Sequence, residues 1–147
     1  MGKLSGITVL DLTQFLPGPM MTVMMADHGA RVIKIEPPGG EPVRSQAPFE
    51  NGQSVWFANL NRGKESLALD LKSEDGKAQL RALIAEADVF AEGFRPGVMA
   101  RLGFDYASVR ALNPGLARGV LHARHDELSG ANTDPNGIYL LPESTSD

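Results

Sequence analysis

The sequence predicts an α/β domain with a mostly parallel sheet that helices cover on both faces. Three observations support this prediction. The chain of 147 residues has the length of one domain. Short apolar runs alternate along it with segments whose apolar residues recur at helical spacing, which is the pattern of βα repeats. The first run, at residues 7–12, is apolar and β-branched almost throughout, as is typical of a strand buried on both faces.

The first βαβ unit follows from this pattern. A polar loop leaves the strand at 7–12, and Pro19 is predicted to open a helix that Gly29 ends. A second strand is predicted over residues 31–36. Four helical residues recur at i, i+3, i+4 and i+7, so we expect them to share one face and the methionines among them to fill the core. These four residues are Met21, Met24, Met25 and His28.

The next elements continue the alternation after a long interruption. Residues 37–65 are rich in proline and glycine and have little periodicity, so we expect a long excursion of the functional kind. Strands are predicted at 66–70 and 88–92, and each is followed by helical spacing. The helices are bounded by capping or terminating residues, which are Ser73, Gly103 and Asp105. Leu80, Leu83, Ile84 and Ala87 form the expected buried stripe of the helix that Ser73 caps.

The last thirty residues differ in composition from the rest. Residues 118–147 contain two of the 14 Lys and Arg residues but five of the 18 Asp and Glu residues. Turn-forming residues dominate the segment at 132–137. The sequence therefore predicts a folded domain over residues 1–117 and a divergent, poorly ordered tail over residues 118–147.

Composition excludes several classes of function. The formal net charge of −4 gives no general attraction to nucleic acid, so we expect no nucleic-acid partner. The absence of cysteine excludes disulfides and thiolate metal sites, and we expect no bound metal. No segment approaches the roughly 20 apolar residues of a membrane span, and no signal peptide is recognisable. We therefore expect a cytoplasmic protein without a membrane partner.

A ligand site is expected where the parallel strands end. Ligands of open α/β sheets bind at the carboxyl ends of the strands, and here the corresponding loops begin near Thr13, Pro37, Leu71 and Gly93. Six cations near these loops suit a phosphate-rich ligand. They are Arg44, Arg62, Lys64, Lys72, Arg95 and Arg101. No G-x-G-x-x-G sequence follows the first strand, and Gly63-Lys64 lacks the remaining features of a P-loop, which argues against an ordinary dinucleotide fold or an NTPase.

A series of short motifs resembles the class III coenzyme A transferases, the CaiB/BaiF family. The motifs occur in the family's order and spacing over residues 4–117. They are LSGITVLDL at 4–12, PGP at 17–19, ADHGARVIKIE at 26–36, NRGKESLALDLK at 61–72, ADV at 87–89, EGFRPGV at 92–98, RLG at 101–103 and NP at 113–114.

The resemblance implies a fold, a ligand and an assembly. The fold would be a Rossmann-like three-layer domain, and the full-length family forms an interlocked homodimer. Coenzyme A would lie across the strand ends, with acyl-CoA and a carboxylic acid as reactants. Carried over by motif, its neighbours would be Leu16, Pro17, Leu69, Asp70, Leu71, Lys72, Gly93, Phe94, Arg95 and Arg101. Leu16 and Pro37 depart from the family, because some transferases have glutamine and arginine there.

The resemblance leaves three functions open. In the family's transferases, an aspartate of a later Gly-Asp segment attacks the thioester, and we find no match to that segment. We therefore expect a truncated N-terminal portion of a transferase with unknown catalytic residues. A racemase of the α-methylacyl-CoA branch is the first alternative, with His125-Asp126 as a candidate catalytic pair. A non-catalytic remnant is the second.

Two other features have structural alternatives. Asp11, at the end of the first strand, suits a structural hydrogen-bonding role better than a catalytic one. Trp56 and Phe57 are candidates for either dimer contacts or an adenine-binding wall.

Overall fold

The computed structural model describes residues 2–121 and 138–140, and it shows an α/β fold. Its strands are β1 (Thr8–Asp11), β2 (Arg31–Glu36), β3 (Phe49–Glu50), β4 (Gln53–Ser54), β5 (Glu65–Ala68), β6 (Val89–Glu92), β7 (Ala117–Leu121) and β8 (Ile138–Leu140). Its helices are α1 (Pro17–Asp27), α2 (Val55–Asn61), α3 (Glu74–Glu86), α4 (Val98–Leu102) and α5 (Tyr106–Leu112). The predicted α/β class is confirmed.

Six strands form one mostly parallel sheet in the order β5-β2-β1-β6-β7-β8. Every neighbouring pair from β5 to β7 is parallel, and β8 alone is antiparallel to its neighbour. β1 lies at the centre, where Val9 is in register with Val32 on one side and Val89 on the other. After β1, the chain therefore forms β2 and β5 on one side of that strand. It then forms β6 and β7 on the other side of β1.

The two faces of the sheet carry different side chains because neighbouring strand residues point to opposite faces. On one face, Leu10, Ile33 and Phe90 pack in the main core with Leu80 and Ile84 of α3. On the other face, Val9 and Val32 pack in a smaller cluster with partly buried residues of α1. This separation gives three layers, with α3, α4 and α5 on one side and α1 on the other.

Side-chain caps begin two helices where the sequence predicts them. The Ser73 hydroxyl accepts a hydrogen bond from the Gly76 N–H, and Asp105 accepts one from the Ser108 N–H. A cap on an N-terminal N–H satisfies a donor that the helix itself leaves free. The predicted starts of α3 and α5 are therefore confirmed.

The buried face of α1 is only partly the predicted one, because Met25 packs against the smaller core cluster as expected. The helix begins at Pro17, two residues before the expected start, and buries Gly18, Pro19, Thr22 and Val23. Met24 is 55% exposed, and His28 is also exposed, so the prediction that this methionine fills the core is wrong. Small side chains face the sheet here because the Thr22 hydroxyl must reach the buried carboxylate of Asp11, 2.6 Å away.

The excursion between β2 and β5 contains regular structure that its composition does not suggest. It includes a short 3-10 turn at Pro42–Ser45, the β3–β4 hairpin and α2. Ser54 caps α2 by accepting a hydrogen bond from the Phe57 N–H. The low periodicity of residues 37–65 therefore did not reveal the regular elements within this excursion.

Only part of the expected tail falls within the described residues. Residues 118–121 belong to β7 and residues 138–140 form β8. The remainder of the tail, including the candidate pair His125-Asp126, lies outside the described residues. Within the described part of the chain, no helix is long and apolar enough to cross a membrane.

Candidate functional site: a cleft at the carboxyl ends of the strands

The topology predicts a crevice beside β1. In the sheet, β2 and β5 lie on one side of β1, and β6 and β7 lie on its other side. Open parallel sheets bind ligands at such a switch point, outside the carboxyl ends of the strands. The loops that follow β1, β2, β5 and β6 all emerge at this edge, because these strands are parallel.

A cleft of about 190 Å³ lies at this edge. Most of its wall is apolar, and its lining comes from the ends of β1, β2, β5 and β6 together with α4. The lining residues are Leu12, Gln14, Ile35, Glu36, Pro37, Pro38, Leu69, Asp70, Leu71, Lys72, Phe94 and Leu102. A concave apolar wall with a few polar groups is the usual form of a small-molecule site.

Half of the residues that the family resemblance named line this cleft. The run Leu69, Asp70, Leu71 and Lys72 forms one wall, and Phe94 contributes from the loop after β6. The other five residues lie outside the lining, although all are exposed. They are Leu16, Pro17, Gly93, Arg95 and Arg101.

Local hydrogen bonds fix two of the lining segments. The Phe94 N–H donates to the buried carboxylate of Glu92 at 2.9 Å, which holds Phe94 at the end of β6. The Lys72 N–H donates to Asp70 Oδ1 at 2.9 Å, and Asp70 O accepts from the Ser73 N–H. The backbone before α3 is therefore a tight turn that presents the Lys72 side chain to solvent.

Sequence reasoning missed most of the apolar wall. Leu12, Ile35 and Leu102 line the cleft, but their spacing predicts only core positions. Gln14 and Pro38 lie in loops that the sequence placed at this edge without singling them out. The signal that could have found them is position, because each of the four residues outside α4 lies at or just after the end of a predicted strand.

Arg44, one of the six predicted phosphate ligands, is bound to a carboxylate of the cleft. Its guanidinium donates two hydrogen bonds to Glu36, from Nε to Oε2 at 2.6 Å and from Nη2 to Oε1 at 2.7 Å. It also stacks on the ring of Phe57, with its central carbon 3.7 Å from the ring centroid. Phe57 thus packs under Arg44, whereas Trp56 is 48% exposed.

These contacts change the acidity of Glu36. Burial acts to raise the pKa of Glu36, but hydrogen bonds from Arg44, Ser66 and the Glu41 N–H outweigh it and lower the pKa to about 2. The carboxylate is therefore charged throughout the physiological range, and it holds Arg44 beside the cleft.

Two other predicted phosphate ligands are engaged elsewhere. Arg62 pairs with Asp27, which ends α1 at the opposite edge of the sheet. The Lys64 side chain is 1% exposed and donates to Asp11 Oδ2 at 2.9 Å. The expectation that all six cations share one edge is therefore wrong. In the described part of the chain, Lys72, Arg95 and Arg101 are exposed and make no ion pair.

A buried network of four charges lies next to the cleft, on the α1 side of the sheet. Asp11, Lys34, Glu41 and Lys64 form this network, and all four side chains are almost inaccessible to solvent. Two negative and two positive charges balance, as buried ions require. Asp11 and Lys34 face α1 because they follow Val9 and Val32 by two residues in their strands.

Asp11 has a structural environment. Its Oδ1 accepts from the Thr13 N–H and hydroxyl, and its Oδ2 accepts from the Thr22 hydroxyl and the Lys64 ammonium. Burial acts to raise the pKa of Asp11, but Lys34, Lys64 and these hydroxyls outweigh it, so the pKa lies below the ordinary value. Burial lowers the pKa of Lys64, and the charge of Asp11 only partly offsets this. The structure thus supports the structural role expected for Asp11.

Comparison with known sequences identifies the chain's relatives. The sequence profile of CoA-transferase family III matches residues 4–123. The chain belongs to CoA-transferase family III. This membership confirms the resemblance that the sequence motifs indicate, over nearly the same residues.

Several curated CoA-transferases are similar in sequence to this chain. The acetyl-CoA:oxalate CoA-transferase of Acetobacter aceti is 49% identical over 116 residues, which is 78% of this chain and 30% of that protein. The succinyl-CoA:mesaconate CoA-transferase of Haloarcula hispanica is 39% identical over 135 residues, or 88% of this chain and 34% of that protein. The chain therefore spans about a third of the length of these relatives.

Solved family III structures share the fold. The crystal structure of Rv3272 from Mycobacterium tuberculosis in an orthorhombic form matches with a TM-score of 0.78 and 41% identity, and the match covers 84% of this chain and 33% of that one. A CaiB/BaiF family protein from Brucella suis matches with a TM-score of 0.78 and 37% identity over 82% of this chain and 33% of that one. These matches support the α/β architecture described above.

Proposed function

We propose that this chain binds the nucleotide portion of a coenzyme A thioester in the cleft at the carboxyl ends of β1, β2, β5 and β6. In a complete family III protein, this part would serve the transfer of CoA from an acyl-CoA thioester to a carboxylic acid. The observation that carries the proposal is the cleft itself, with an apolar wall and, at its rim, the exposed Lys72, which forms no ion pair with another described residue.

The size of the cleft supports binding of one portion of the ligand. Sites for drug-sized ligands usually occupy about 300–1,000 Å³, whereas this cleft measures about 190 Å³. A flat ring such as adenine could enter between Pro37, Leu71 and Phe94, while the longer arm of CoA would lie outside. Lys72, Arg95 and Arg101 are the exposed cations nearest in sequence to this wall, so they are the proposed phosphate ligands.

The names of the relatives support transfer rather than racemisation. The proteins from A. aceti and H. hispanica are named as CoA-transferases that act on oxalate and mesaconate. Both names include a CoA thioester, but the acids differ. We therefore propose the CoA thioester as the shared ligand and assign no acyl group or acid to this chain.

The described residues offer binding groups for this function, and the two carboxylates at the ends of β1 and β2 are engaged in hydrogen bonds. Both oxygens of Asp11 are buried and accept hydrogen bonds, so its carboxylate is not available to attack a thioester. The carboxylate of Glu36 accepts hydrogen bonds from Nε and Nη2 of Arg44. The proposed role of this chain is therefore to hold CoA, and we expect the chain alone to show no CoA-transferase turnover.

Calorimetric titration with coenzyme A tests the proposal. Lys72→Ala should weaken binding by about threefold to tenfold, since an exposed charge pair contributes about 1 kcal/mol. Lys3→Ala is the matched control, because Lys3 is an exposed lysine that precedes β1 and so lies at the opposite edge of the sheet. Absence of CoA binding by the folded wild-type chain, or an equal loss in both variants, would contradict the proposal.

A further inference from the structure

The loop after β1 has a conformation that its sequence does not favour. Phe15 has a φ of 65°, in the left-handed region that a bulky residue rarely adopts. Such a conformation persists only where the surrounding structure holds it. The loop is next to the cleft, because Gln14 lines the cleft wall and Leu12 precedes it.

Two buried side chains of the charge network hold this loop. Glu41 Oε1 accepts a hydrogen bond from the Phe15 N–H at 2.7 Å. Lys34 Nζ donates to the backbone carbonyl of Thr13 at 2.9 Å. The loop is therefore fixed at residues 13 and 15, on either side of Gln14.

Lys34 and Glu41 also contact each other. Lys34 Nζ lies 3.0 Å from Glu41 Oε2, and each side chain is 1% exposed. Among the described residues, Glu41 Oε2 has no hydrogen-bond partner. The nearby ammonium charge of Lys34 is therefore the main interaction that offsets the burial of this oxygen. Well-packed apolar side chains often stabilise a fold as well as a buried ion pair does. A contribution to stability therefore does not explain why an ion pair occupies this buried position. The two hydrogen bonds that the pair makes to the loop do explain it.

We propose that Lys34 and Glu41 are positioning residues of the cleft. They hold residues 13–16 in the strained conformation that keeps Gln14 in the cleft wall. The consequence for ligand binding rests on the proposed function, since it takes CoA as the occupant. The effect on the loop itself does not, and it can be measured without any ligand.

A charge-neutral double substitution separates positioning from stability. Lys34→Met with Glu41→Leu keeps the interior neutral and filled but removes both bonds to the loop. We expect the unfolding midpoint in urea to stay near the wild-type value. Cleavage by chymotrypsin after Phe15, which is 48% exposed, should become at least about tenfold faster, since a hydrogen bond to a charged group is worth about 1.5–3 kcal/mol.

Phe49 provides an internal reference for this cleavage. It is 54% exposed and lies in the β3–β4 hairpin, which forms a sheet separate from the main one. Glu65→Gln is the matched control variant, because it breaks an exposed ion pair with Arg31 near the other edge of the sheet. Faster cleavage after Phe15 alone supports positioning. Unchanged cleavage, or an equal increase after Phe49, overturns it.

Amide hydrogen exchange of Phe15 keeps the test decisive if the double variant does not fold. Glu41→Gln retains a side-chain acceptor but replaces the charged hydrogen bond by a neutral one. We expect the Phe15 amide to exchange several-fold faster in Glu41→Gln and to be unaffected in Glu65→Gln. Equal exchange in the wild type and Glu41→Gln overturns the proposal.

Titration with coenzyme A completes the experiment. If the wild type binds CoA, the double variant should bind it more weakly while remaining folded, and equal affinity overturns the link to ligand binding. If the wild type binds no CoA, the proposed function fails, and the cleavage and exchange results still decide whether Lys34 and Glu41 position the loop.

Discussion

The ion pair between Glu36 and Arg44 should make the stability of the domain depend on pH in acid. Glu36 is 3% exposed, and its pKa of about 2 in the folded chain compares with an ordinary value of 4.5. A carboxyl group whose pKa is lower in the folded state stabilises that state above its unfolded pKa. The stabilisation is lost as the pH falls from 4.5 through about 2.

The pKa values set the size of the effect. A difference of this kind corresponds to about 3 kcal/mol in the free energy of unfolding when the pH falls well below both values. About 2 kcal/mol of this is already lost at pH 3, because the unfolded chain is then almost fully protonated at this position. Glu36→Gln removes the titrating group, so the variant should be less stable at neutral pH but should lose about 2 kcal/mol less between pH 6 and pH 3.

Urea unfolding at several pH values measures this difference. The fluorescence of Trp56, the single tryptophan of the chain, is a convenient probe. Other carboxylates titrate in both proteins, so subtracting the two curves isolates Glu36. Glu65→Gln is the control, because its exposed pair with Arg31 is screened by solvent and should change the curve little. Parallel pH curves for the wild type and Glu36→Gln would show that the Arg44 pair does not lower this pKa.

Three further predictions concern the interior. Asp11→Asn leaves the charges of Lys34 and Lys64 without one of their two counter-charges, and chemical unfolding should show a loss of about 3–5 kcal/mol; a loss below 1 kcal/mol would mean that water reaches the site. Phe90→Ala empties a fully buried position of the main core and should cost about 3–5 kcal/mol in the same assay. Gly76→Ala would place a Cβ 2.2 Å from the backbone oxygen that precedes α3, so its melting temperature should fall, and an unchanged value would contradict this close contact.

The order of the elements could be predicted because it depends on local patterns. The run at 7–12 contains β1 (Thr8–Asp11), the run at 31–36 coincides with β2, and the caps Ser73 and Asp105 begin their helices. These signals come from neighbouring residues, so a single sequence contains them. The same logic predicts the edge of the sheet at which the cleft lies, since it needs only the ends of parallel strands.

The buried face of α1 could be predicted only in part by apolar spacing. That rule ranks Met24 above Thr22, but Thr22 is buried because Asp11 and Lys64 need its hydroxyl group. The requirement arises from residues 11 and 42 positions away in the chain. A polar interior therefore reverses the usual amphipathic pattern, and nothing within the helix sequence reveals it.

The charge network was missed for a similar reason. Lys34 lies in a strand between apolar neighbours, and this unusual placement was a usable signal of a buried, paired lysine. Its partner Glu41 comes from the proline- and glycine-rich excursion, where pairing cannot be inferred from spacing. The sequence predicts Lys64 as a phosphate ligand because its charge is visible in the sequence while its burial is not.

The cleft draws its walls from both halves of the sheet. Leu12 and Phe94 follow β1 and β6, whereas Ile35 and Leu69 come from the side of β2 and β5. Any molecule that fills the cleft would contact both halves of the sheet. It would stabilise the folded chain, because its binding site is lost on unfolding. At a concentration of 100 times its dissociation constant, such a molecule adds about 2.7 kcal/mol to the free energy of unfolding. Thermal denaturation is therefore a direct way to rank small molecules as occupants before any reaction is known.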